Sequence, residues 1–185
     1  MGIVHPTSEL TPSKADLLAA WLPTQSWWPH DAEVRPFRAN FRLDDPTGEV
    51  GIETFLLPVP GGVAQVPVTY RSAPLDGGVL VGELEHSVLG HRWVYDGPSD
   101  PVYVAETTAV IRHAGTEVDL VDSDGHTLPR RPTTAAVRGS GDGSGELHVV
   151  RLVPGTVPAD ATGTLSATWT GQPEPAVLAW LARVD

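Results

Sequence analysis

The densest run of residues with chemical potential is Gly139-Ser140-Gly141-Asp142-Gly143-Ser144-Gly145. A loop that cradles phosphate needs such glycines, but it also closes on Gly-Lys-Ser/Thr and opens into a helix. This run lacks that ending, carries Asp142 where it would repel phosphate, and is flanked by strand-like segments. A hairpin connection is therefore expected. The same run fails as a nucleophile elbow, because each Gly-x-x-x-Gly register places glycine where the serine must stand. Asp122-Ser123-Asp124-Gly125 copies part of a calcium loop, yet the flanking ligand positions hold Leu120 and Arg131, so a turn is expected. Of seven histidines, His86 and His91 lie five apart with Gly90 between them, and no His-Glu-x-x-His occurs. No metal site is expected, and no pair of carboxylates stands out for glycoside cleavage. The residues thus nominate no catalytic group, no metal and no cofactor, and a non-enzymatic protein is the first expectation. An enzyme of unknown class would need a convergent trio of titratable residues in a deep pocket.

Aromatic residues are the better binding candidates. Trp27 and Trp28 precede Pro29, while Arg92, Trp93, Tyr95 and Asp96 crowd one segment. Aromatic rings beside arginine and aspartate can stack on and hydrogen-bond a sugar or a partner surface. Six tryptophans in 185 residues must also fill a core, so both roles stay open for them.

Composition narrows the partners. A net charge of −11 opposes binding to nucleic acid and to anionic membranes, which both need basic side chains. Partners are expected to be neutral or basic. The absence of cysteine excludes a disulfide or thiolate zinc site. Met1 to Leu10 has neither a basic start nor an apolar run, and no stretch reaches the roughly 18 apolar residues of a membrane span. A cytoplasmic location is expected.

The elements that would position these residues can be read in order. Ser13 and Asp16 mark a helix start. Leu17, Leu18, Trp21 and Leu22 share one face, and Pro23 ends the helix. Phe37, Ala39, Phe41 and Leu43 alternate with Arg38, Asn40 and Arg42 as a half-buried strand. Strands follow over 49–57, with Val50 and Ile52 opposing Glu49 and Glu53, then over 65–71, 79–86 and 92–95. Turn residues separate them, so an antiparallel meander is expected. Ser99-Asp100-Pro101 opens a helix toward Gly115, although the β-branched run through Ile111 also fits a strand; helix is favoured. Strands are expected at 117–121, 133–138, 146–153 and 165–169, and 175–184 is open between strand and helix, with strand favoured. The stretch Thr127 to Pro132 marks a boundary, giving a unit over 1–127 and a β-rich portion over 128–185 packed on it as one body.

His91-Arg92-Trp93-Val94-Tyr95-Asp96-Gly97-Pro98-Ser99-Asp100-Pro101-Val102 resembles the cap domain that precedes the kinase lobes of maltokinases. So do Phe55 to Val59, Gln65 to Arg71, and Trp21-Leu22-Pro23 followed by Trp27-Trp28. The chain also resembles short stand-alone bacterial proteins named as 1,4-alpha-glucan branching proteins. The cap resemblance implies a cystatin-like fold, a curved antiparallel sheet wrapped around the N-terminal helix. It implies no catalytic residue, because those of maltokinases lie in later domains. The expected role is a non-catalytic module that binds or regulates a partner enzyme of glycogen, trehalose or maltose metabolism. The alternative is a small-molecule or glucan binder with a cavity between helix and sheet.

Overall fold

Ser13 starts the first helix. Its hydroxyl accepts from the Asp16 N–H at 3.2 Å and the Asp16 carboxylate accepts from the Ser13 N–H at 3.2 Å, a reciprocal cap that satisfies two otherwise free donors. The computed structural model describes residues 2–3 and 8–183. In it two short strands, β1 (Gly2–Ile3) and β2 (Leu10–Thr11), precede helix α1 (Lys14–Trp21). Pro23 then permits only a 3-10 turn over Leu22–Thr24.

The large sheet holds β3 (Ala39–Leu43), β4 (Gly51–Val59), β5 (Gly62–Arg71), β6 (Leu80–His86) and β7 (Gly90–Asp96). It is antiparallel and strongly curled, with strand order β2-β6-β7-β5-β4-β3. The expected meander holds for β3, β4 and β5 and again for the β6–β7 hairpin, but the two runs are not joined in sequence order. From β5 the chain returns through β7, and β6 lies outside. The physical reason is the connection over residues 72–79, which is too long for a tight hairpin turn. It is tied to the end of β7 instead: the Leu75 N–H donates to Tyr95 Oη at 2.8 Å and the Asp96 N–H to the Val79 carbonyl at 2.9 Å. Phe37 is a second departure. The strand begins at Ala39, and the Phe37 ring sits 5.3 Å from the ring of Phe55, on the face opposite Phe41.

Asp100 caps helix α2 (Pro101–Arg112), accepting from the Val102 N–H at 2.9 Å. Tyr103, Thr107 and Ile111 recur at helical spacing and are its buried residues, so helix prevails over the β-branched composition. The strand expected at 117–121 is only β8 (Leu120–Val121), which pairs in parallel with β1. Glu117 is withdrawn from it by bonds to the Val137 N–H, at 2.6 Å, and to Arg130.

The remaining strands are β9 (Ala136–Gly139), β10 (Glu146–Val149), β11 (Leu152–Val153), β12 (Gly163–Trp169) and β13 (Gln172–Ala182). Strand β13 bears out the strand expected from residue 175 as far as Ala182, and residue 184 lies outside the described residues. A four-stranded sheet has the order β10-β13-β12-β9. The glycine-rich run is therefore no hairpin, because β9 and β10 occupy opposite edges with the β12–β13 hairpin between them. The loop crosses the end of that sheet. Gly145, at φ +106°, would place a Cβ 1.6 Å from the Ala182 carbonyl oxygen, so only glycine fits the crossing.

Strand β11 joins the large sheet, pairing with Val63 and Ala64 of β5, on the edge that β7 occupies from Val68 onward. Gln65 donates its N–H to the Arg151 carbonyl at 2.8 Å. By strand alternation the nitrogen of residue 67 faces the same edge, in the seam between β7 and β11. Pro67 stands there and leaves no unmet donor.

Both faces of the large sheet are buried. On one, Leu18, Trp21, Leu22 and Trp28 pack on Phe55, Leu57, Val66, Val68 and Val94. On the other, Phe41, Ile52 and Leu56 join Tyr103 and Ile111 of α2 and Leu165, Leu178 and Leu181 of the smaller sheet. Residues on both sides of position 127 share this second core. Double burial explains why β4 is apolar almost throughout. No described helix is long and apolar enough to cross a membrane.

Candidate functional site

Strand β7 sorts the sequence candidates by alternation. Trp93 and Tyr95 point to one face of the sheet; Arg92 and Val94 point to the other, where Val94 enters the core beneath α1. Arg92, Trp93, Tyr95 and Asp96 thus do not form one surface.

Trp93 is half-buried. It pairs across with Arg71 of β5 and Glu83 of β6, so the three side chains share a face. The His91 ring lies 4.3 Å from the Trp93 ring, edge to face. His91 meets Glu85 through Nδ1 at 2.7 Å and Glu83 through Nε2 at 2.9 Å. Those bonds, chiefly the one to Glu85, raise the pKa of the imidazole. Arg71 is held by Asp100, with Nε at 2.7 Å from Oδ2 and Nη2 at 2.7 Å from Oδ1. Thr69 also donates to Asp100, at 2.6 Å. Burial pushes Asp100 up, but the bonds from Arg71, Thr69 and the Val102 N–H outweigh it and hold its pKa low. The face is thus an indole flanked by carboxylates and a fixed guanidinium. It can stack on a flat apolar surface while hydrogen-bonding hydroxyls around it. The face carries no nucleophile paired with a base. Tyr95 lies behind it, its hydroxyl engaged by Leu75, and is 4% exposed.

The two early tryptophans go elsewhere. Trp28 is core, 4% exposed, donating Nε1 to the Ala32 carbonyl at 3.2 Å. Trp27 is half-buried, with the Arg151 guanidinium 4.7 Å from its ring centroid. Arg151 also pairs with Asp96, so this arginine from the C-terminal portion unites two of the sequence candidates at the seam. Burial raises Asp96, against the opposing bond and charge of Arg151.

The polar centre that sequence reasoning missed is Glu53. It is 4% exposed and meets Lys14 Nζ at 2.5 Å, Asn40 Nδ2 at 3.0 Å, Tyr70 Oη at 3.1 Å and Arg42 Nη2 at 3.2 Å. Burial raises its pKa, but the charges of Arg42 and Lys14 and the hydrogen bonds prevail and lower it to about 2. A glutamate between Ile52 and the run Phe55-Leu56-Leu57 was the available signal.

The cavity expected between helix and sheet is filled. The space bounded by Leu17, Leu18, Phe55 and Val68 measures about 10 Å³, no more than one water can use. An open groove of about 630 Å³ follows the outer side of α2 past Pro98, Val104 and Thr108 to Arg112 and His113. Asp122, Asp124 and His126 approach one another on an exposed turn, where the Asp122 carboxylate accepts from the Asp124 and His126 N–H groups at 2.9 Å each.

The chain is thus an α+β, strand-dominated module whose accessible polar-aromatic site lies on a curled antiparallel sheet. Residues 21–100, the segment that builds the large sheet and carries Trp93, match the model of the maltokinase N-terminal cap domain. That segment is maltokinase cap-like. No curated protein and no solved structure matches the chain.

Proposed function

We propose that this chain is a non-catalytic cap-like module that binds or regulates an enzyme of maltose, trehalose or glycogen metabolism, and that it does so in the cytoplasm. The supporting observation is the cap-domain match over 21–100 in a chain whose exposed polar-aromatic face lacks a nucleophile–base pair. In the same reading, α1 against the curled sheet is the counterpart of the cystatin-like core implied by the resemblance. Trp93 is the contact residue, with Arg71 and Glu83 fixing orientation, as an aromatic anchor with a polar rim does at interfaces. The test is a titration of the purified chain against a purified maltokinase catalytic region. Saturable binding, weakened about tenfold or more by Trp93→Ala, is expected. No binding to it, or equal binding by the variant, would refute the proposal for that partner.

A second reading has one observation in its favour, the indole flanked by hydroxyl-binding groups. Here Trp93 is the platform for a glucan, bound on the surface instead of in the filled space under α1. Tryptophan fluorescence titrated with maltose, trehalose and glycogen decides it. A response to any of them that Trp93→Ala removes is expected, and a flat response to all three rejects it.

A further inference from the structure

Lys14 is the chain's only lysine, and it is committed to a half-buried place. From the first turn of α1 its Nζ reaches Glu53 Oε2 at 2.5 Å and sits 5.1 Å from the Tyr70 ring centroid. Arg42 reaches the same carboxylate oxygen at 3.2 Å. Their side chains are 28% and 22% exposed, so each still opens to solvent. Among the described residues Glu53 is the only carboxylate in an ion pair with either of them.

A third cation stands beside this pair. The segment that carries Arg131 runs along the outer edge of β3: the Asn40 N–H donates to the Thr133 carbonyl at 2.8 Å, and the Thr134 N–H to the Arg131 carbonyl at 2.9 Å. Asn40 is itself bonded to Glu53, and the charge of Arg131 is felt at Lys14. Among the described residues Arg131 has no ion-pair partner. Two cations therefore share one carboxylate and a third lies close by, on a chain whose net charge is −11.

Among the described residues most of the donors of these cations are uncommitted. Arg42 and Lys14 each donate one N–H to Glu53, out of the five and three that the two side chains carry. Free guanidinium and ammonium donors match the oxygens of phosphate in charge and geometry. The local surplus corresponds to a dianion, and a phosphate monoester carries roughly −1.5 to −2 at neutral pH. The overall negative charge repels a polyanion such as nucleic acid, which leaves a small ligand.

We propose that Lys14, Arg42 and Arg131 form a binding site for a small phosphate monoester, on the α1 face of the sheet and separate from Trp93.

A single lysine makes the test direct. Expression of the full chain with 13C-lysine labels this one side chain and leaves its ammonium donors intact. Its resonance is followed while inorganic phosphate, then phenyl phosphate, is added at ionic strength held constant with sodium chloride. The expected result is a saturable shift with both ligands, with an apparent Kd weakened about tenfold or more in Arg131→Ala. Arg131 is exposed, so that variant should keep the parent urea midpoint. The proposal is overturned by a shift that chloride reproduces, by saturation unchanged in Arg131→Ala, or by a response to inorganic phosphate that phenyl phosphate does not share.

Discussion

Glu53 shows how one side chain can tie a helix to a sheet. Its carboxylate is buried but answered by Lys14 from α1, by Arg42 and Asn40 from β3 and by Tyr70 from β5. Breaking such an arrangement from one side leaves uncompensated buried charge and costs roughly 3–5 kcal/mol. Glu53→Gln is expected to lose stability of that order in urea denaturation. The pH dependence follows from the same group. Its folded pKa of about 2 lies below the ordinary 4.5, so its contribution is complete above about pH 4.5 and lost as pH falls toward 2. The acid limb of the parent's stability curve should flatten over that window in Glu53→Gln. Trp28 and Trp93 form a second contrast. Trp28→Ala should cost about 3–5 kcal/mol, as a core aromatic does, whereas Trp93→Ala should stay within about 1 kcal/mol; chemical denaturation distinguishes them. Strand alternation separates Trp93 from Arg92, which their closeness in sequence had grouped as one surface. It cannot rank the tryptophans by burial, because the core cluster that Trp28 joins is assembled from α1 and from strands β4 to β7.

Helix α2 depends on Asp100 in two ways: it accepts from the Val102 N–H and it neutralises Arg71 beneath the helix start. Asp100→Ala removes a cap, typically about 1 kcal/mol, and exposes an unmatched guanidinium. A total loss of about 3 kcal/mol or more in denaturation is expected. The cap and the following proline were legible, as was the capping box of α1. The edge assignments were not. Nothing local to the glycine-rich run says that β9 and β10 stand at opposite edges, since long-range pairing decides it. Glycine substitutions test the crossing. Gly48, at φ +72° in open space, should tolerate alanine at a cost of about 1–2 kcal/mol. Gly145→Ala meets the Ala182 backbone at 1.6 Å and should abolish a cooperative melting transition.

For the molecule as a whole, hydrophobic pattern marks which residues are inside but not which of two cores they enter. The alternation of β3 and β12 was plain in the sequence. That Phe41 and Leu165 belong to one cluster depends on the C-terminal portion folding back onto the large sheet. The boundary near 127 thus separates segments of chain that share an interior. A fragment ending at residue 127 would lose Val137, Leu165, Leu178 and Leu181 from that interior, each worth roughly 1.5–3 kcal/mol when buried. It is expected to bind a hydrophobic dye and to unfold without a sigmoidal transition, as measured by circular dichroism.

The late arrival of β11 has a consequence for biosynthesis. When residue 100 has left the ribosome, the neighbours of Val63 and Ala64 are still about fifty codons away. At about 5–20 residues per second the nascent chain carries an unprotected strand edge for several seconds. Such an edge invites pairing with another chain, so translation speed and chaperone attendance bear on the yield of folded protein.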